Sequence, residues 1–545
     1  MAAHIPAGSG VGGGVETANR RPWWRGGVLY QVYPRSFSDS NGDGTGDLPG
    51  LIDRLDYLEW LGIDGIWLNP VMPSPNHDWG YDVADYCAVH PELGDLDDVD
   101  RLVAESERRG ISVLFDLVPN HTSDRHPWFV ESSSARHSPK RDFYVWADPK
   151  PDGSPPNNWL SAFGGPAWTL DEASGQYYLH NFLPSQPDLN WWNEEVRSAF
   201  DEILRYWYRR GIAGFRIDVA HALVKDRELR DNPPATEQDH PEVRRLGQRQ
   251  RFNMNRPETH DVLRRWRRLS EAEKPAPVLL GETHVFDLDQ WAAFYGSGDD
   301  ELHLAFNFLF LHTPFSALSL RTVVEASESL LPPTAWPVWT GSNHDAGRLA
   351  TRWAQGEEAK ARLAVMMLLT LRGTPVLYYG DEIGLPEVEI GPERVRDVRP
   401  GVGMAGEGRD RARTPMHWTS DPGAGFTAAT ATPWLPLGDY RSLNVSAQTG
   451  DGASLLRLCR DLIALRKSVS ALRTGAYETI PSPPHTWVWR RGERTTVALN
   501  LSGKRSRVGG VEGVVQVSTH RDRDGRKLRE PAELEPWEGV VAVGP

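Results

Sequence analysis

What most constrains this chain is a rhythm: short apolar runs, each closed by a turn signal, alternate with longer amphipathic stretches. Eight runs follow in order: Val28 to Pro34, Gly65 to Pro70, Val113 to Pro119, Gly214 to Asp218, Pro277 to Glu282, Leu304 to Phe308, Pro337 to Asp345 and Pro375 to Glu382. They are rich in β-branched and aromatic residues and apolar at successive positions, so neither face is suited to water; this marks strands buried in a parallel sheet. The stretches between them, such as VDRLVAESERRG, VRSAFDEILRYWYRRG and EAKARLAVMMLLTLRG, have helical spacing and end in Arg-Arg-Gly or Arg-Gly. Cations suit a helix C-terminus and glycine its cap. Eight strands alternating with helices predict an α/β fold, a (β/α)8 TIM barrel.

One interval breaks the rhythm. Roughly a hundred residues separate Asp116 from Arg216, more than one β/α repeat requires. The excess, residues 121–191, is rich in Pro, Ser, Asn, Gly and aromatics and predicts a subdomain inserted after strand 3. Beyond a Gly/Pro/Arg-rich loop (Gly391 to Gly408) and a helix, LLRLCRDLIALRKS, the alternating segments TWVWRR, TTVALNLS and GVVQVS predict a C-terminal antiparallel β domain. The expected division is a disordered Gly-rich tail over 1–22, the barrel over 23–120 and 192–470, the insert over 121–191 and the β domain over 471–545.

Composition narrows the function. With 60 Lys and Arg against 74 Asp and Glu, the chain lacks the basic excess that binding a nucleic-acid backbone demands. Cys87 and Cys459, the two cysteines, form neither a disulfide framework nor a metal pair. No apolar stretch approaches ~18 residues, and the N-terminus has no basic segment leading into an apolar one. A cytoplasmic protein with no membrane partner is expected. The 22 Trp against 16 Phe suit flat, polar-edged ligands such as sugar rings, although tryptophan serves equally to fill a large core.

Several polar residues fall at the C-terminal ends of the predicted strands, where a barrel core has no use for them. Asp116 precedes Asn120 and His121. Arg216 and Asp218 are two apart and point to the same side of one strand. Glu282 ends the fifth run, and Asn343, His344 and Asp345 end the seventh. Converging carboxylates are costly to bury unless they serve chemistry. No G-x-S-x-G elbow, zinc-ligand spacing, dinucleotide fingerprint or P-loop accompanies them. Paired carboxylates acting without a cofactor suit glycosidic-bond cleavage, one donating a proton while another attacks the anomeric carbon.

The segments DLVPNHTS, GFRIDVAHAL, LLGETHV and GSNHDAGRLATR resemble, in order and on the right strands, the signature regions of the α-amylase superfamily, glycoside hydrolase family 13. QPDLNWWN, RDRARTPMHW and HDWGYDVADY are similar to its α-glucosidase and oligo-1,6-glucosidase branch. The resemblance runs from about Trp23 into the C-terminal β domain. It implies Asp218 as nucleophile, Glu282 as general acid/base and Asp345 as a third carboxylate gripping ring hydroxyls. Arg216 would keep Asp218 ionised, His121 and His344 would bond the sugar, and Tyr81 would stack beneath it. Asp78 and Arg409 would close the pocket around a terminal glucose. Arg413 matches the same motif, and a structural role stays open for it. A retaining mechanism is expected, with the Asp218 and Glu282 carboxyls about 5–5.5 Å apart and the Glu282 pKa raised.

A second cluster lies in DSNGDGTGDL. Asp39, Asn41 and Asp43 fall at positions one, three and five of a calcium-type loop, with Gly44 at six, the Thr45 carbonyl next and Asp47 able to substitute for the missing Glu. The resemblance implies a structural Ca2+ here; a tight Asx-turn loop without metal is the alternative. The expected substrate is an oligosaccharide or disaccharide with terminal α-linked glucose, α-1,4 first. Val219, beside the nucleophile, fits tolerance of α-1,6 bonds. The same residues would serve an α-glucosyl transferase or a sucrose- or trehalose-converting enzyme. A catalytically dead binding subunit would have lost Asp218 or Glu282, and both are present. Oligomeric state is not legible.

Overall fold

The computed structural model describes residues 22–397 and 408–544. Nearly all of the expected tail, and residues 398–407 of the Gly/Pro/Arg-rich loop, lie outside the described residues. The eight runs form strands β1 (Leu29–Val32), β2 (Gly65–Leu68), β3 (Ser112–Leu117), β4 (Gly214–Ile217), β5 (Val278–Gly281), β6 (Leu304–Ala305), β7 (Val338–Trp339) and β8 (Thr374–Tyr378). Neighbours pair in parallel, and β8 returns to β1 with Leu29 opposite Val376. One bridge, Phe306 to Val338, spans β6 and β7 and completes the barrel. Every residue of β1, β2, β4 and β5 is buried, as their unbroken apolar character requires.

β6 and β7 are shorter than their sequence runs. Asn307 leaves the sheet to cap the helix Phe308–His312, its side chain accepting from Phe310 N–H. After Trp339 the chain turns, with Thr340 Oγ1 donating to the Ser342 carbonyl. Both departures occur at the C-terminal rim and deliver residues to it.

The helices follow from local signals. Helix α1 (Leu96–Arg108) starts in a capping box between Asp95 and Asp98, and α2 (Glu194–Arg209) on Asn193. α2 buries Val196, Phe200, Ile203, Leu204 and Trp207, one stripe at helical spacing. Helix α3 (Glu358–Thr370) is apolar all round because it is covered all round: residues Leu363 to Thr370 are buried without interruption. It lies against the C-terminal domain, where Arg491 donates to the Thr370 carbonyl at 2.6 Å. Gly539 is required at that contact, since a Cβ there would stand 2.7 Å from the Met366 sulfur. Helix α4 (Leu455–Ser468) completes this side; its buried Arg466 donates to the carbonyls of Gly26, Leu369 and Gly373.

The insert after β3 carries a three-stranded antiparallel sheet, Trp146–Ala147, Gln176–Leu179 and Trp168–Asp171, with bridges from His121 to Asp188 and Tyr144 to Leu189 tying its ends. A second excursion, not anticipated from the sequence, follows β4. Residues 219–258 leave the barrel, form the short helix Pro241–Leu246 and dock on the insert, where the Trp159 indole donates to the Arg230 carbonyl at 2.8 Å. The C-terminal domain pairs a six-stranded antiparallel sheet with a two-stranded one. Its strands alternate: Val488, Ala498, Val540 and Ala542 face the domain's own core, while Trp487, Trp489, Leu499 and Val541 join the barrel's. Among the described residues no helix is long and apolar enough to cross a membrane.

Candidate active site

The C-terminal ends of β3, β4 and β5 bring Asp116, Arg216, Asp218 and Glu282 to one point. Arg216, almost wholly buried, donates from Nη1 to Asp116 at 2.8 Å and to Asp218 at 2.6 Å, and from Nη2 to Glu282 at 2.6 Å. One guanidinium faces three carboxyls, which leaves an excess of negative charge in a buried place. Burial pushes the Asp218 carboxyl well up, Arg216 works against it, and Glu282 and Asp116 add to the rise. Asp116 rises to about 7, again chiefly by burial. Arg216 is paired with Asp218 as expected, and its charge opposes the rise that burial and the neighbouring carboxyls impose on that group.

Asp345 sits across the cavity in the opposite electrostatic situation. Burial works to raise its carboxyl, but His344 Nε2 at 3.1 Å, Arg409 at 2.9 Å and Arg413 at 3.0 Å hold it far below the usual carboxylate range. Burial also drives His344 toward its neutral form, so the two guanidiniums supply the permanent charge. Gln31 Nε2 lies 2.9 Å from His344 Nδ1, which makes Nδ1 the acceptor and leaves the ring proton on Nε2, toward Tyr81 and Asp345.

Tyr81 stacks face to face on His344, ring centroids 5.3 Å apart and planes 5° from parallel. Its hydroxyl donates to Asp116 at 2.9 Å and accepts from Asn69 at 2.8 Å, so one face and the phenolic tip are fixed while the other side lines the cavity. His121 also lines it, but Nε2 meets the Tyr81 carbonyl at 3.0 Å and Nδ1 meets Asn120 at 3.1 Å. A bond from His121 to a sugar would require exchange with that carbonyl.

Arg409 closes one end. Its guanidinium pairs with Asp78, with Asp345 and with Asp397 at 2.8 Å, joining the loops after β2 and β7 to its own. Gln186 from the insert reaches the second oxygen of Asp78 at 2.9 Å. Arg413 donates to the His344 carbonyl as well as to Asp345, both at 3.0 Å, and so supports the rim from behind. The enclosed space is ≈ 240 Å³, with Asp78, Tyr81, Asp218, Glu282, Asp345 and Arg409 among its walls. Its apolar lining comes from Phe163, Phe182, Val219 and Phe308, and no described tryptophan contributes. Trp159, Trp191 and Trp418, which the sequence places near the rim, are buried as packing.

The cavity opens into an outer chamber of ≈ 800 Å³ lined by the 219–258 excursion and by His284, Phe286 and Gln290. Glu242 and Arg245, paired at 3.0 Å, border both spaces. None of these outer residues, nor Asp397, stood out in the sequence. His284 follows the LLGE motif by two positions and was the one detectable signal.

The 39–47 loop lies apart from this rim. Asp39, Asn41 and Asp43 each accept the amide N–H two residues on, a ladder of Asx turns. Asp39 accepts further donors from Gly42, Gly44 and Thr427, and Asp47 caps a short helix through Gly50 while also accepting from Ser40. The donors are hard oxygens and suit Ca2+ in kind. Asp39, Asn41, Asp43, the Thr45 carbonyl and Asp47 are the groups that would hold the ion; the carboxylates of Asp39, Asp43 and Asp47 do not all lie within 4.8 Å of one another.

Comparison with known proteins agrees with this geometry. The family description "Alpha amylase, catalytic domain" matches residues 31–475. A "Probable alpha-glucosidase" of Rhizobium meliloti (strain 1021) is 45% identical over 84% of this chain and 85% of its own length. An "Oligo-1,6-glucosidase" of Heyndrickxia coagulans is 38% identical over 88% and 92%. The crystal structure of an α-glucosyl transfer enzyme superposes with a TM-score of 0.88 at 42% identity, covering 96% of this chain and all of that one.

Proposed function

The chain belongs to the α-amylase family and is a glycoside hydrolase of its α-glucosidase group, and from that premise we propose that it removes terminal α-linked glucose from short oligosaccharides by a retaining double displacement. The observation that carries the reading is the shared grip of Arg216 on Asp218 and Glu282. Inverting enzymes keep their carboxyls about 6.5–9.5 Å apart to admit a water, whereas two carboxyls on one guanidinium have no such gap between them. Glu282 donates a proton to the glycosidic oxygen as Asp218 attacks C1. Water, activated by the same Glu282, then releases glucose from the Asp218 ester. Asp345, held ionised by Arg409 and Arg413, accepts hydrogen bonds from the ring hydroxyls. The Asp78–Arg409 pair walls the non-reducing end, which supports exo action, on α-1,4 and also α-1,6 bonds. A cytoplasmic location belongs to the same reading.

A second reading keeps these residues and delivers the glucosyl unit to a sugar or other alcohol. The outer chamber supports it, being large enough to hold an acceptor beside His221 and His284, as does the likeness to an α-glucosyl transfer enzyme. Time-resolved product analysis with maltose, isomaltose, sucrose, trehalose and an aryl α-glucoside separates the two. Glucose alone identifies the hydrolase, while early oligosaccharides or an isomerised disaccharide identify transfer. Asp218→Ala abolishes turnover in either case; a variant keeping more than about a hundredth of the activity refutes the nucleophile, since covalent catalysis has no substitute group there. A structural Ca2+ held by Asp39, Asn41, Asp43, the Thr45 carbonyl and Asp47 belongs to the same proposal.

A further inference from the structure

Strand β4 ends at Ile217, Asp218 follows, and the chain then reverses. Val219 stands at φ +35°, and Ala222 N–H returns to its carbonyl at 2.7 Å. A β-branched residue avoids this left-handed region because its side chain crowds its own backbone. Here the conformation is fixed from outside. Asp218 N–H is anchored on the Leu117 carbonyl at 2.8 Å and Glu282 N–H on the Ile217 carbonyl at 2.9 Å, locking β3, β4 and β5 into register at the rim. The Val219 side chain packs with Ala222, Met254 and Phe182. Strain of this kind persists only where the surroundings over-determine it, and it concentrates at sites that use the resulting geometry.

The use is one of direction. The Val219 amide points across to the next strand and donates to Glu282 Oε2 at 3.0 Å, the same oxygen that takes Arg216 Nη2 at 2.6 Å. We propose that Val219 is a positioning residue for the acid/base carboxyl, its strained backbone pinning Glu282 Oε2 so that the transferable proton is confined to Oε1. This rests on the reading of Glu282 as acid/base. An oxygen facing two N–H donors presents its lone pairs to them and cannot also hold a proton in their direction, so the acid's hydrogen sits on the other oxygen. In the first step that proton passes from Oε1 to the glycosidic oxygen. The C1–O bond breaks with its electron pair going to the departing alcohol, and an Asp218 oxygen supplies the pair for the new bond to C1. Oε2 keeps its two donors throughout. The charged and titratable groups around Glu282 are Asp116, Arg216, Asp218, His221 and His284. Val219 N–H is the neutral, untitratable donor among them, so its aim does not vary with pH.

The test replaces the N–H by an ester oxygen and keeps the side chain, by replacing Val219 in the full-length enzyme with its α-hydroxy acid analogue. Two substrates are compared: maltose, whose leaving alcohol needs the acid, and α-glucosyl fluoride, whose leaving group hardly does. The expected result is a fall of about 10–100-fold in kcat for maltose against less than about 3-fold for the fluoride, the range that a misplaced general acid forfeits. Val219→Gly, which frees φ, shifts that ratio in the same direction, while Val219→Ala, which keeps a Cβ, changes maltose and fluoride turnover in equal proportion and so keeps the parent ratio. An unchanged leaving-group ratio in the ester enzyme overturns the proposal. So does a Val219→Ala enzyme that matches the ester, because the side chain would then be the cause. Failure of the underlying reading is distinguishable, since it would appear in the parent enzyme as no cleavage of either substrate.

Discussion

Replacing Arg216 by Gln tests the charge balance of the site directly. The guanidinium makes hydrogen bonds of 2.8 Å to Asp116 and 2.6 Å to Asp218, and its charge lowers both carboxyls against the burial that raises them. A hydrogen bond to a charged group contributes about 1.5–3 kcal/mol, equivalent to roughly 1–2 pH units of carboxyl titration. The sign follows from which form the arginine favours. It stabilises the ionised carboxyls, so its loss raises their pKa, and the nucleophile is ionised only at higher pH. The acid limb of the kcat/KM profile, which reports the free enzyme, should therefore move up by about 1–2 units. Below the parent's acid limb activity should fall about 10–100-fold from protonation alone, and much of that loss should return as the pH is raised. Glutamine keeps a donor of similar reach, which limits collapse of the site; circular dichroism and the melting temperature establish that the variant is folded. An acid limb that stays in place, or a loss of activity equal at every pH, would refute the argument and leave Arg216 with a purely geometric role.

Three further outcomes are expected. Arg409→Ala removes the cation shared by Asp78, Asp345 and Asp397; breaking a buried pair costs about 3–5 kcal/mol, so kcat/KM on maltose should fall at least about 100-fold, and steady-state kinetics showing a change below about 10-fold would remove Arg409 from the substrate pocket. Asp381, buried at the end of β8 with Ser342 Oγ and Tyr378 N–H as partners, is raised to about 7. Such a group binds a proton more tightly folded than unfolded, so its contribution is fully present below about pH 4 and is lost as pH rises through 7. Asp381→Asn should flatten the decline in melting temperature between pH 4 and 7, and an unchanged slope would contradict the shift. Exhaustive chelation followed by Ca2+ addition should raise the melting temperature by a few degrees, about 3 kcal/mol at this size, if the 39–47 loop binds the ion; a null result leaves it an Asx-turn ladder.

Much of this was legible before the coordinates, and for a physical reason. Strands buried on both faces leave unbroken apolar runs, so all eight could be counted, and a carboxylate at the end of such a run is conspicuous because a packed barrel has no place for it. Asp116, Asp218, Glu282 and Asp345 stood out on that ground, and they do converge. What escaped was set by contacts between distant loops. The 219–258 excursion has no apolar period, so nothing marked Glu242 and Arg245 as neighbours of the catalytic cavity. Asp397 acquires its place only by meeting Arg409. Trp159 and Trp191 were ambiguous because aromatic packing and sugar stacking ask for the same residue; their burial assigns them to packing. Whether Arg216 could keep Asp218 ionised depended on how deeply three carboxyls are buried together, which spacing along a strand does not report.

The closed end of the pocket also has a history in time. Asp78 and Arg409 are 331 residues apart, and at about 5–20 residues per second roughly 15–65 s of synthesis separate their appearance. A nascent chain can therefore expose every catalytic carboxyl while its glucose subsite still lacks a wall. The closed end is therefore completed late in synthesis, with the segment that carries Arg409, and only the residues through helix α4 remain to be added to the barrel.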